Sequence, residues 1–240
     1  MPEPIGFIIL AQKRSEESST KVKEVTINEL KNIPGSWKII NLDRIIEGKL
    51  RLISETETHR HFSMRLKYKQ WVVIAQSTVE TGGKFDIWQH KNGYVLALMC
   101  PSPFRKVIAS MLSLSIFGRL GGFSERRLEK EDFIAMQKYA IEKGGTVNLI
   151  HLRNVIIGNN VWRVYHLSGE GIEKDPDEQK KILMAKKIKY MSFRFPRLGG
   201  SKFYFRVTDW GGGAIYYPQP FLTHHAVTLI DFFEKALRNK

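Results

Sequence analysis

The sequence predicts an α+β fold of two successive units, each of four antiparallel strands followed by a helix, with an additional helix between the copies. Three observations predict it. Hydrophobic residues make up 42% of the 240 residues, enough for one large domain or two small ones, each with its own core. Short alternating runs bounded by Gly, Pro and Asn recur along the chain. The landmarks also repeat in order. Gly82-Gly83 and Pro101-Ser102-Pro103-Phe104 return as Gly199-Gly200 and Pro218-Gln219-Pro220-Phe221, each shifted by 117 positions. Upstream, the segment Leu42 to Gly48 matches Leu152 to Gly158 at a shift of 110, which puts about seven extra residues in the second copy, around Glu173 to Lys181. The expected organisation is residues 1–20 as an N-terminal strand and polar segment, 21–122 as the first repeat and 123–240 as the second.

Taken in order, Ile5 to Leu10 is a short apolar run. It lacks a basic stretch before it and a cleavage site after it, so no signal peptide is expected. Gln12 to Thr20 is polar and reads as a loop or arm, and a short helix is expected near Thr26 to Asn32. In the first copy, Lys49 to Ser54, Trp71 to Gln76, Phe85 to His90 and Tyr94 to Met99 read as strands. Lys91-Asn92-Gly93 supplies a hairpin turn. Pro103 opens a helix with Phe104, Ile108, Leu112 and Ile116 as its apolar stripe. Gly121-Gly122 breaks the chain, and a helix over Glu131 to Lys143 is stopped by Gly144-Gly145.

In the second copy Val161 to Leu167 is a strand. Asp175-Pro176 starts a short basic helix through N-cap and first-turn chemistry. Tyr190 to Phe195, Lys202 to Thr208 and Ala214 to Tyr217 complete the strands. Pro220 opens the last helix, with Leu222, Ala226, Ile230, Phe233 and Leu237 on one face.

Charge narrows the function. Lys and Arg number 38 against 24 Asp and Glu, a formal charge of +14. Such an excess repels itself in a compact protein and points to an anionic partner. No segment approaches the ~20 apolar residues that span a bilayer, so no membrane partner is expected. The single cysteine, Cys100, excludes an intramolecular disulfide and fits an intracellular, reducing compartment. It ends an apolar run and reads as a core thiol.

Alternation sorts the strands into two faces. Phe203, Phe205 and Val207 point one way, and Lys202, Tyr204 and Arg206 the other. Phe85 and Ile87 oppose Lys84, Asp86, Trp88 and His90. The side away from the core thus interleaves cations with aromatics, phosphate contacts with stacking surface for unpaired bases. The candidate nucleic-acid-binding residues are Lys84, Trp88, His90, Lys91, Arg194, Arg197, Lys202, Tyr204, Arg206 and Trp210, with Tyr190 and Tyr217 as further stacking surface. A loop-packing role beside Gly211-Gly212-Gly213 competes for Trp210.

Two units of strands plus helix with such faces resemble the Whirly fold of single-strand-binding proteins. The final helix, His225 to Leu237, resembles that of the kinetoplastid mitochondrial RNA-binding proteins, which are Whirly-like. The resemblance implies single-stranded RNA or DNA as the partner and no catalysis. The Lys-Gly-Lys-Ala strand of plant Whirly proteins is absent. A duplicated sheet-plus-helix unit also resembles the TATA-binding protein repeat, which leaves a saddle-like duplex binder as an alternative.

A metal-dependent nuclease is a second alternative. Glu55, Glu57, His59 and His61 would share one face of a strand, although a solvated polar strand is the simpler reading. Glu80 and Asp86 near Lys84 lack a marked second carboxylate. His224-His225 reads as one packed and one exposed residue. No phosphate-loop pattern and no nucleophile–base arrangement is found, so no catalytic residue, metal or cofactor is expected. A basic structural subunit in a homo- or hetero-oligomer is the remaining alternative.

Overall fold

The computed structural model of the chain describes residues 4–12, 37–41, 44–72, 77–90, 94–98, 108–109, 113, 122–157, 160–218 and 220–237. They form two compact units, one of residues 10–124 and one of residues 1–9 with 125–240. Both carry antiparallel strands, and the protein is α+β.

In the unit of residues 10–124, β2 (Trp37–Asn41), β3 (Arg44–Glu55), β4 (His59–Val72), β5 (Ser77–His90) and β6 (Tyr94–Leu98) follow one another as an antiparallel meander. Phe62 lies opposite Ile87 and Met64 opposite Phe85, and all four are buried. Ile108, Ala109 and Ser113 are helical. The Ser113 hydroxyl accepts a 2.7 Å bond from the Phe123 N–H. The rest of that expected helix, the Lys91-Asn92-Gly93 turn, Cys100 and the helix near Thr26 lie outside the described residues.

The other unit takes Ile5–Ile9 from β1 (Ile5–Gln12) and joins it to β12 (Gly212–Tyr217), with Ile5 opposite Ile215. Beyond β12 come β11 (Ser201–Thr208), β10 (Ala185–Leu198), β8 (Thr146–Ile157) and, outermost, β9 (Asn160–Ser168). The short β7 (Phe123–Glu125) precedes an Arg126 N–H bond to the Ile9 carbonyl, 2.9 Å.

Among the described residues, three α-helices belong to this unit. α1 (Lys130–Glu142) begins where Asp132 accepts from the Glu129 N–H at 2.8 Å and pairs with Arg126 at 3.2 Å. α2 (Pro176–Met184) is capped as its sequence dictates: Asp175 accepts from the Asp177 and Glu178 N–H groups, with Pro176 in the first turn. α3 (Thr223–Leu237) buries Ala226, Leu229, Ile230, Phe232, Phe233 and Leu237. The core is a cluster of phenylalanines. Phe232 of α3 meets Phe193, Phe195 and Phe205 of the sheet at 5.4–5.7 Å between ring centres, and Tyr139 of α1 at 5.5 Å. Leu222 precedes α3 and is half exposed, not part of the stripe expected for it.

The expected duplication is not established by this architecture. Gly82-Gly83 sits inside β5, opposite Lys67 and Leu66, whereas Gly199-Gly200 makes the β10–β11 turn with positive φ at both residues. The first Pro-x-Pro-Phe segment lies outside the described residues. Glu55 to His61 is not one strand either: β3 ends at Glu55 and β4 starts at His59. A turn at residues 56–58 therefore replaces the common face expected for the four side chains.

Candidate functional site

The helices α1 and α3 cover one face of the C-terminal sheet, and alternation sends β11's remaining side chains to the other. Phe203, Phe205 and Val207 are fully buried, while Lys202 is exposed and Tyr204 and Arg206 are half-buried. The rings and cations on that second face touch one another in sequence. Tyr204 stacks on Tyr216 at 4.8 Å. The Arg206 guanidinium lies 5.8 Å from the centre of the Tyr216 ring and 5.3 Å from that of Tyr190. Tyr190 meets His151 edge-on at 4.9 Å, and His151 meets His166 at 4.3 Å. Lys202 sits 5.7 Å from the Tyr217 ring. Five strands, β8 to β12, thus contribute to one continuous band.

Two bulges build this band. Tyr204 pairs with Tyr217 but Phe205 with Ile215, so Tyr216 is an extra residue. A bulge re-aims side chains, and here both Tyr216 and Tyr217 reach cationic or aromatic partners from β11. In β10 the pairing slips between Ile188 and Tyr190, and Lys189 and Tyr190 are both half-buried. Beside Tyr190, Asp209 accepts from Lys187 at 2.8 Å and Lys189 at 3.0 Å. Burial pushes the Asp209 carboxyl up, but these two hydrogen bonds prevail and hold it below its ordinary value. Burial, then His166, pushes the His151 imidazole down. The band thus alternates rings with cations, Arg206 lying between Tyr190 and Tyr216 and Lys202 beside Tyr217.

Of the residues expected from sequence, Lys202, Tyr204 and Arg206 come together here. Arg194 lies opposite Tyr204 on β10 and pairs with Glu170. Arg197 is exposed near the β10–β11 turn. Trp210 stands in the β11–β12 turn, where its indole lies across the α-carbon of Gly212 and leaves no room for a side chain. Gly213 is equally enclosed, by the Arg206 carbonyl and the Phe7 ring. The loop-packing role of Trp210 is thus the one seen, and the three glycines serve close approach.

The other unit departs from expectation. Trp88 faces away from Phe85 and Ile87 as alternation requires, but it is 4% exposed and lies flat on His61 at 4.0 Å. His90 is also buried and meets His59 edge-on at 5.0 Å. Neither ring is an open platform, because the outward side of β5 is itself packed at these positions. Lys84 is exposed. Lys91 lies outside the described residues.

Sequence reasoning missed Tyr216, His151, His166, Lys187 and Lys189 as members of the band. The alternation of β8 contains the signal for His151, which is flanked by the buried Ile150 and Leu152. No family model matches the sequence, and no curated protein matches it. No helix among the described residues is long and apolar enough to cross a membrane.

Proposed function

We propose that the protein is a non-catalytic single-stranded nucleic-acid-binding protein whose main contact surface is the outward face of the C-terminal sheet. The observation that carries this reading is the band from Tyr204 through Tyr216, Arg206 and Tyr190 to His151 and His166. Stacked rings accept unpaired bases of any sequence, and cations beside them accept the phosphates between those bases. A duplex hides its base faces and leaves such rings unused. The charge of +14 supplies attraction at long range. The resemblance to Whirly-like proteins points the same way, and a nucleic-acid partner with a single cysteine fits an intracellular setting.

The test is competition between single-stranded and duplex oligonucleotides of one sequence, repeated across a salt series. Single strands are expected to win, with log affinity falling by about 0.7 per log unit of salt for each phosphate contacted. Preference for duplex, or affinity indifferent to salt, overturns the reading.

A further inference from the structure

The N-terminal meander holds a second group of cations that the band does not involve. Arg51 on β3, Ser63 and Arg65 on β4 and Lys84 on β5, with Ile53, line a hollow of about 280 Å³. Arg51 stands directly opposite Ser63, and Arg65 directly opposite Lys84. Like charges facing each other across neighbouring strands repel, so this arrangement costs stability until an anion enters. Among the described residues, no carboxylate lines the hollow. Asp86, the cross-strand partner of Ser63, accepts instead from His61 at 3.1 Å, and Glu55 from Arg60 at 3.0 Å. Arg51, Arg65 and Lys84 have no ion-pair partner among the described residues.

We propose that this hollow is a phosphate-monoester subsite and that the group it takes is the terminal phosphate of a single strand. Three cations suit a dianionic monoester better than the single charge of an internal diester. The Ser63 hydroxyl adds a donor suited to a phosphate oxygen. The volume is at the low end for ligand sites, the size of a phosphate with part of its sugar. Ile53, about half exposed, gives that sugar an apolar wall which inorganic phosphate does not use. The assignment to a strand's end rests on the nucleic-acid reading above; the monoester site does not.

The experiment has two arms on the full chain. In the first, inorganic phosphate and a 5′-mononucleotide are titrated while backbone amide resonances are followed, with chloride as control. Saturable shifts are expected at Ser63, Arg65 and Lys84, at lower concentration for the mononucleotide, and weakened about tenfold in Arg65→Gln and in Arg51→Gln. Removing either cation relieves repulsion, so both variants should melt no lower than the parent. Absence of saturable shifts with either probe overturns the subsite whatever strands do. In the second arm, oligonucleotides ending in 5′-phosphate, 3′-phosphate or hydroxyl are compared. Several-fold tighter binding of a phosphorylated end, lost in Arg65→Gln, supports the assignment. Equal affinity for all ends overturns it and leaves the nucleic-acid reading standing. If no strand binds while the mononucleotide still saturates the hollow, the nucleic-acid reading and the strand-end assignment fall together, and the monoester site stands.

Discussion

Tyr204 and Phe205 are adjacent on β11 and point to opposite faces, so replacing each by Ala separates binding from stability. Tyr204 is half-buried, with Tyr216 stacked on it at 4.8 Å. Its removal costs one cross-strand aromatic pair, about 0.5–1.5 kcal/mol of stability. If a base stacks on the band there, its loss weakens single-strand binding by about 1–2 kcal/mol, roughly 5- to 30-fold. Phe205 is fully buried, with Phe193, Phe195, Phe232 and Phe233 at 5.4–6.1 Å. Truncating it leaves a cavity in the ring cluster and costs about 3–5 kcal/mol. The assay is a fluorescence binding isotherm beside a thermal melt for each variant. Tyr204→Ala should bind weakly and melt within a few degrees of the parent, and Phe205→Ala should melt far lower. A Tyr204→Ala protein that melts as low as Phe205→Ala refutes the face assignment. One that melts normally and binds normally refutes the stacking surface.

Trp88→Ala should act as a core truncation, lowering stability by about 3–5 kcal/mol in a denaturant titration, because the ring is buried against His61. An unchanged midpoint would contradict that packing. Asp209→Asn should tighten single-strand binding and steepen its salt dependence, because Lys187 and Lys189 lose their shared carboxylate; unchanged isotherms would place those lysines outside the contact surface. The third concerns pH. His225 accepts the Leu222 N–H on Nδ1 at 2.9 Å and contacts the Ser201 hydroxyl through Nε2 at 3.0 Å; burial, then His224, pushes its pKa down from 6.5. The unfolded chain therefore binds the proton more readily than the folded one. The stability from neutral His225 is whole above about pH 7 and is lost as pH falls below 6.5, with a slope of up to about 1.4 kcal/mol per pH unit. Unfolding free energies at pH 5 to 8 should show this slope in the parent and a shallower one in His225→Asn.

Local rules read well where the chain obeys one period. Lys202 to Val207 alternates without interruption, and its two faces fall as the pattern says. Asp175-Pro176 carries its cap and first turn in adjacent residues. His224 and His225 divide into exposed and buried because helical geometry sends neighbours in different directions. The pattern fails at bulges, which insert one residue and reset the period with no mark in composition. Tyr216 joined the band and Lys189 came to lie beside Tyr190 by that route. It also fails where burial is decided by packing outside the strand's own pattern. Trp88 lies on the face alternation assigns, yet that face is covered at this position. Gly82-Gly83 matches the turn pair Gly199-Gly200 in sequence, but in β5 the glycines continue a 14-residue strand. Glycine permits a turn without requiring one.

The pairing of Ile5 with Ile215 has a kinetic side. During synthesis this strand emerges long before the β12 segment it joins, and most of the meander that follows it can fold in the meantime. The edge that Ile5 to Ile8 joins exists only once Gly212 to Ile215 is made, and until then that side of an apolar run stays open to chaperones or to the wrong strand edge. Contacts of such sequence separation slow folding more than they weaken the final state, because closing a longer loop adds little entropy cost. The C-terminal unit should accordingly be the slow step in refolding, and a chain shortened at residue 9 should lack a docked edge on β12 however well its remaining strands form.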